Sequence, residues 1–430
     1  MLILASLIVL CIMLIIGVGL PFAFGAVLLL LGVFGGHDVA GFFPAGHWRL
    51  NTIVLLAIPL FILAGGFMER GKIAAPLIHL AELFVGHIRG GLSAAAVLAS
   101  GIFGSISGSA AATVSCIGSI MAPHLRRANY PLGMSSALIV AASPLGLLIP
   151  PSSSTILYAW VIRVSVLKCF LATVVPGLIL IALLLATNFW LLRNNKDIKV
   201  EVRPDNFVRE LGKRSKHSFA ALMFPAIILG GIYSGIMTPT EAAGVAVIYA
   251  IPVGFWVYRG LTWNIFVETL RDSAVTIGVV MSAGFIVLTV SRFLIFEDVP
   301  GLAETFVYSI SENPIVILLM VNLTMILIGM LMDDISGILL ASPILYPVVS
   351  TIGIDPIHFA AIVGVNMGMA NITPPAAPLL YLGARVMDTP VNIMMKPLMF
   401  MIVFAWLPTL VITTFVPQVA LWLPNLFFGG

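Results

Sequence analysis

No Lys, Arg, Asp, Glu or His lies between Arg89 and His124. That uncharged stretch, residues 91–123, limits the fold more than any other part of the chain. As one straight helix it would be about 50 Å long at ~1.5 Å per residue, against a bilayer hydrocarbon core of about 30 Å. Two half-crossings of about 15 residues fit better. Their turn would fall at the midpoint, Ser107, inside Gly104-Ser105-Ile106-Ser107-Gly108-Ser109. A hairpin that dips into the membrane keeps non-helical backbone at its tip only where the tip is buried in protein or lines a polar cavity. Hydroxyls and free carbonyls at that depth suit a small hard cation or a polar solute. The competing reading is close helix packing, because Gly104 and Gly108 form a GxxxG pair.

The rest of the chain agrees with a membrane setting. It is 60% hydrophobic and 9% charged, with a mean hydropathy of +1.13, where a soluble domain carries about 25% charged residues. The chain therefore reads as an all-α polytopic membrane protein. The net charge of +3 is small, and no basic nucleic-acid patch is present. Cys11, Cys116 and Cys169 sit far apart in apolar runs and read as buried small hydrophobes. The N-terminus lacks a basic n-region and a small-residue cleavage site, so it reads as a first membrane segment.

In chain order, residues 2–35 form either two helices, about 2–19 and 22–35, or one kinked helix. Residues 36–49 read as a loop and 50–69 as a span. Residues 72–90 read as an interfacial amphipathic helix with surface-facing His79, Glu82 and His87. After the hairpin, residues 132–162 are uncharged but interrupted by Ser143-Pro144-Leu145-Gly146 and Ile149-Pro150-Pro151-Ser152. Pro150 and Pro151 remove two backbone donors, which reads as a helix broken within the membrane. Residues 169–192 form a span. Residues 193–217 then carry eight basic residues, which marks a cytoplasmic linker between two halves, 1–192 and 218–430. Spans follow at 218–236, 240–258 and 272–291. Thr238-Pro239-Thr240-Glu241 reads as a capping box. Residues 292–312 read as a polar loop, and 397–424 as a last span.

The second half repeats the first. Residues 314–347 are apolar apart from Asp333 and Asp334, near the midpoint, and include Met332-Asp333-Asp334-Ile335-Ser336-Gly337. Residues 359–384 are interrupted by Asn366, Asn371 and Thr373-Pro374-Pro375. Ser107-Gly108 pairs with Ser336-Gly337 at an offset of 229, and Pro150-Pro151 with Pro374-Pro375 at 224. Interrupted segments in corresponding places of two halves point to a transporter's binding site. Arg70, Lys72, Arg89, Arg126 and Arg127 flank the first hairpin, whereas residues 293–384 contain no Lys or Arg. The first hairpin then enters from the cytoplasm and the second from outside, so the repeats are inverted. Arg163 and Lys168 land outside, against the rule.

Ionisable residues at membrane depth carry function by default. One sodium site is expected from Ser105, Ser107 and Ser109 with carbonyls of Gly146 and Ile149. A second is expected from Asp333, Asp334, Ser336 and Gly337 with Asn371 and Thr373. An organic substrate would lie between the tips, near Ser107, Ser152, Ser153, Asn366 and Asn371. The helix N-termini after both proline pairs favour an anionic group there. Asp333 and Asp334 stand side by side, and His124 and His358 sit at span ends, so neither an aspartyl nor a serine intramembrane protease is expected, and the chain reads as no enzyme. A cation/proton antiporter using Asp333 is the alternative.

Ser107-Gly108-Ser109-Ala110, Ala128-Asn129-Tyr130-Pro131 and Ile149-Pro150-Pro151-Ser152 resemble the large membrane subunit of tripartite ATP-independent periplasmic (TRAP) transporters. The likeness continues through residues 230–242, Gly329-Met330-Leu331-Met332-Asp333 and Thr373-Pro374-Pro375, and covers nearly the whole chain. The resemblance implies an elevator-type, sodium-coupled importer of the bacterial inner membrane, related in fold to the ion-transporter superfamily. It implies a small four-helix membrane subunit and a periplasmic substrate-binding protein as partners, no cofactor beyond coupling sodium ions, and carboxylate substrates such as C4-dicarboxylates, sugar acids or sialic acid. The family's tip aspartate falls on Asp333. Ala376-Ala377-Pro378 departs from the family's pattern, in which a glycine often follows the second proline pair.

Overall fold

The computed structural model describes residues 2–35, 41, 43–200 and 206–429, and no strand occurs among them. In a bilayer every backbone polar group must be satisfied within the protein, and a long apolar run does so as a helix. Residues 2–35 form two helices, α1 (Leu2–Ile16) and α2 (Leu20–Gly35), parted at Gly17. The expected loop at 36–49 is partly helical, as α3 (Phe43–Leu50); residues 36–40 and 42 lie outside the described residues. A 3₁₀ turn leads into α4 (Ala57–Arg70). The next helix, α5 (Ala74–Val85), corrects one expectation: Glu82 is buried and meets His79 Nδ1 at 3.1 Å, although His79 itself is exposed. Cys11 is exposed, unlike the other two cysteines.

The uncharged stretch is two helices, α6 (Gly91–Ser107) and α7 (Ala110–Arg127). They have 17 and 18 residues, about 26 Å each, which is longer than half-crossings. The run after it is α8 (Leu132–Ala142), the single turn α9 (Leu145–Leu148) and α10 (Ser153–Ile162), bent by 42° around a cis Pro150–Pro151 bond. α11 (Val166–Leu192) spans the membrane. α12 (Phe207–Tyr233) starts ten residues before the expected end of the linker, so Arg209, Lys213, Arg214 and Lys216 sit on a helix; Arg203 lies outside the described residues. α13 (Pro239–Pro252) opens on the capping box: Thr238 N donates to Glu241 Oε2 at 2.7 Å, and Glu241 N to Thr238 Oγ1 at 3.3 Å.

α14 (Trp263–Phe296) runs for 34 residues, and α15 (Val299–Ile310) replaces the expected polar loop. Beside Glu304 it carries an apolar face that includes buried Val307. The second hairpin is α16 (Pro314–Leu331) and α17 (Asp334–Ser350), and the second broken run is α18 (Pro356–Ala370) and α19 (Pro378–Val386), around a cis Pro374–Pro375 bond. A last span, α20 (Val391–Met401) and α21 (Leu407–Phe415), is joined through a π-helical turn, and α22 (Pro417–Phe428) follows a break at Val416. Among the described residues seven helices are long and apolar enough to cross a membrane, or eight with the bent α8–α10 run.

The two broken runs lie against each other at the centre. Tyr158 on α10 donates to the Pro356 carbonyl at the head of α18, at 2.7 Å. Trp406, fully buried, donates from Nε1 to the Ala141 carbonyl at the end of α8, at 3.0 Å. Its ring fills the place where a side chain on Gly368 of α18 would stand.

Candidate functional site

The first tip is built by one turn of backbone. α6 ends at Ser107, Gly108 takes the left-handed conformation with φ +60°, and Ser109 caps α7 by accepting from Ala112 N at 3.4 Å. A side chain at Gly108 would carry the strain of that conformation. Gly104 has a different duty: a Cβ there would stand 2.6 Å from Gly146 Cα. The packing and site readings of this motif thus divide between its two glycines. Gly146 in turn faces the Ser109 carbonyl, and Ser153 N donates to the Gly108 carbonyl at 3.4 Å. The tip hydroxyls are mostly engaged. Ser105 donates to Ile102 O at 2.7 Å, and Thr113 to Ser109 O at 2.8 Å, while Ser107 Oγ lies 3.4 Å from Thr113 Oγ1.

The second tip has the same plan with other chemistry. Asp333 caps α17, its Oδ1 accepting from Ser336 N at 3.4 Å, and Asp334 is the first residue of that helix. No glycine turns the chain; Met332 and Asp333 are extended. Gly329 and Gly337 pack against Met367 and, for Gly329, Ala370, at the end of α18. Asn371 follows there, its backbone N–H donating to Met367 O, and Thr373 Oγ1 donates to Met369 O at 2.6 Å. Ser336 Oγ sits beside the Asp333 carboxylate, and Asn371 Oδ1 is buried with no hydrogen-bond partner among the described residues. Buried polar atoms without partners are rare and call for an explanation.

Both tips reach one cavity of about 410 Å³, lined by Ser107, Gly108, Ser109 and Ser153 on one side and by Asp333 and Asp334 on the other. Ser105, Gly146, Ile149, Ser336, Gly337, Asn371 and Thr373 lie outside this lining, as do the breaking prolines. Three residues expected near the substrate, Ser152, Asn366 and Asn371, lie outside the lining. Ser152 caps α10 at Thr155 N and bonds Ser154 Oγ at 2.7 Å, so its hydroxyl is committed. Asn366 is buried and donates to Asn322 Oδ1 at 2.8 Å and to Ile362 O at 2.9 Å, away from the cavity.

The remaining walls were not expected. α4 supplies Gly65, Gly66, Glu69 and Arg70, and α14 supplies Thr269, Asp272, Ser273 and Thr276. Arg70, the sole cation among the lining residues, meets Asp272 at 2.7 Å and Glu268 at 3.3 Å. The available signal was the spacing of residues 269, 272, 273 and 276, one helical face at the charged start of an apolar run. Among the described residues no group of three or more His, Cys, Asp or Glu is placed to hold a metal.

A bundle of membrane-spanning helices with two helical hairpins meeting at a polar cavity, backed by broken helices, is the architecture of a transporter. Solved structures agree on the fold: the Alcanivorax borkumensis YdaH transporter superposes with a TM-score of 0.57 at 14% identity, covering 90% of each chain. The Neisseria gonorrhoeae MtrF structure gives 0.54 at 13% identity, covering 88% of this chain and 83% of that one. The family model for the tripartite ATP-independent periplasmic transporter, DctM component, matches residues 4–419, and the chain belongs to that family. The Pseudomonas aeruginosa C4-dicarboxylate TRAP transporter large permease protein DctM is 37% identical over 86% of each chain. The Vibrio cholerae sialic acid TRAP transporter large permease protein SiaM is 33% identical over 96% of each. The protein is therefore a multi-pass TRAP permease of the inner membrane.

Proposed function

We propose that this permease imports an organic carboxylate, handed over by a periplasmic binding protein and driven by sodium, with a small membrane subunit completing the complex. The observation that carries this reading is the meeting of two unlike tips at one cavity, one of hydroxyls and backbone, the other with adjacent carboxylates. A sodium ion needs about five or six oxygens. Ser336 Oγ, beside the Asp333 carboxylate, and the buried Asn371 Oδ1 at the end of α18 are candidate ligands. Around the first tip, the Ser109 carbonyl against Gly146 supplies a second, weaker set. Bound sodium would neutralise the acidic tip and let a carboxylate approach it.

The two halves act as inverted repeats, with α6–α7 and α16–α17 as re-entrant hairpins, residues 193–217 as the cytoplasmic link and residues 1–192 and 218–430 as the repeats. Charge placement supports this orientation and puts Arg70 at the cytoplasmic end of the cavity. Elevator-type movement of the tips past α4 and α14 would then carry the cavity across the bilayer. The cargo class rests on relatives whose names include C4-dicarboxylate, sialic acid and 2,3-diketo-L-gulonate. The test is uptake into proteoliposomes holding this chain and its small subunit, with the binding protein added outside and a carboxylate panel under an imposed sodium gradient. Uptake that needs both sodium and the binding protein, and that fails in Asp333→Ala, is expected. Sodium-independent uptake unchanged by that substitution overturns the reading, and sodium/proton exchange without solute points to the antiporter.

A further inference from the structure

Away from the cavity, α5 and α12 cross antiparallel at one end of the bundle. Phe84 meets Phe207 edge-on at 6.1 Å, and Arg214 Nη1 donates to the His79 carbonyl at 2.7 Å. Next along, Ser218 Oγ donates to the Pro76 carbonyl at 2.7 Å. Between these contacts lies a pocket of about 270 Å³ lined by Pro76, His79, Lys213, Arg214, His217 and Ser218. We propose that this pocket binds the phosphate of an anionic phospholipid of the cytoplasmic leaflet.

The charge pattern favours an anion. Arg214 is fixed in place by Glu210 at 3.1 Å and by the His79 carbonyl, so its guanidinium is preset rather than mobile. Lys213 stands exposed beside it, and His79 and His217 add ring nitrogens. The acidic groups nearby are each spoken for: Glu210 by Arg214, and buried Glu82 by His79 Nδ1. Guanidinium and ammonium groups are the usual partners of phosphate oxygens, and basic pockets between membrane helices on the cytoplasmic side take lipid headgroups.

Depth selects a lipid over a free phosphate. Residues 218–233 of α12 carry no charge and span about 24 Å, so the hydrocarbon edge lies just beyond His217. Phe219, the next residue but one, is exposed where an acyl chain would lie. Tyr258 confirms the level: its hydroxyl donates to the His217 carbonyl at 2.8 Å and its ring meets the His217 ring at 5.7 Å. Exposed Trp256 and Trp263 flank it, as aromatic residues do at the headgroup layer. A lipid held here would bridge α12 and α5, the helix that leads into the first hairpin.

The test needs no transport substrate and so stands apart from the cargo reading. The full chain in detergent is examined by thermal unfolding and native mass spectrometry with phosphatidylglycerol, phosphatidylcholine or inorganic phosphate. Expected is stabilisation and retained adducts with phosphatidylglycerol only, with binding weakened roughly fivefold in Lys213→Gln, the scale of one basic residue at a membrane surface. Lys196→Gln, an equal loss of charge on the exposed linker, leaves binding unchanged. Equal effects of the two substitutions, or of the two lipids, overturn the site; stabilisation by inorganic phosphate to the same degree overturns the lipid assignment. Arg214→Gln is avoided, because it also removes the contact to α5.

Discussion

The two hairpin tips share a capping geometry and differ in what they leave unsatisfied. Ser109 and Asp333 each cap the returning helix by accepting a backbone N–H three residues on, both at 3.4 Å. At the first tip the neighbouring hydroxyls turn inward to carbonyls of their own hairpin, and a left-handed glycine makes the turn. At the second tip the chain turns without glycine, a second carboxylate follows the cap, and the buried Asn371 Oδ1 at the end of α18 finds no partner among the described residues. The two tips thus share a cap and differ in both turn and side chains: one is made of hydroxyls around a left-handed glycine, the other of two adjacent carboxylates after an extended turn.

The largest effect expected from that asymmetry is on Asp333. Asp333→Ala should lower sodium-driven uptake on the order of a hundredfold, the scale of removing one partner of a buried charged site. Equal sensitivity of uptake to Ser105→Ala would break the comparison. Next, Asn371→Ala should raise the sodium concentration for half-maximal uptake about tenfold, as loss of one buried polar ligand does; Ser105→Ala should move it less than twofold. Smaller effects fall on folding. Gly104→Ala places a methyl against the Gly146 backbone and should cost about 1–3 kcal/mol in unfolding experiments. Loss of the cap comes next: Ser109→Ala should cost about 1 kcal/mol, read as a lowered unfolding midpoint. Gly337→Ala meets the flexible end of Met367 tightly and Ile328 at ordinary contact distance, and should cost less than about 1 kcal/mol.

Much of this plan is legible in the residues, for a physical reason. Charge is expensive inside a bilayer, so the uncharged stretch before His124 and the lone acidic pair at Asp333 and Asp334 mark what lies within it. Paired prolines cannot be hidden in a helix, which exposes the breaks at Pro150 and Pro374. What escaped notice was tertiary. Arg70 and Asp272 look like ordinary span ends until α4 and α14 are laid side by side. α15 was masked by Glu297, Asp298 and Glu304, whose polarity outweighed the apolar spacing of Leu302, Phe306 and Val307. Asn366 was read by residue type, and its partner Asn322 sits 44 positions earlier on another helix. α7 also runs past the uncharged stretch to Arg127, which makes it longer than the expected half-crossing.

Trp406, bonded to the end of α8 and seated over Gly368 of α18, has a spectroscopic consequence. Trp48, Trp190, Trp256, Trp263 and Trp422 are exposed, while Trp406 is fully buried. The junction of the two broken helices therefore carries its own optical reporter. Its emission lies to the blue of the exposed indoles, and any parting of α8 from α18 during the transport cycle would shift it to the red with no label added.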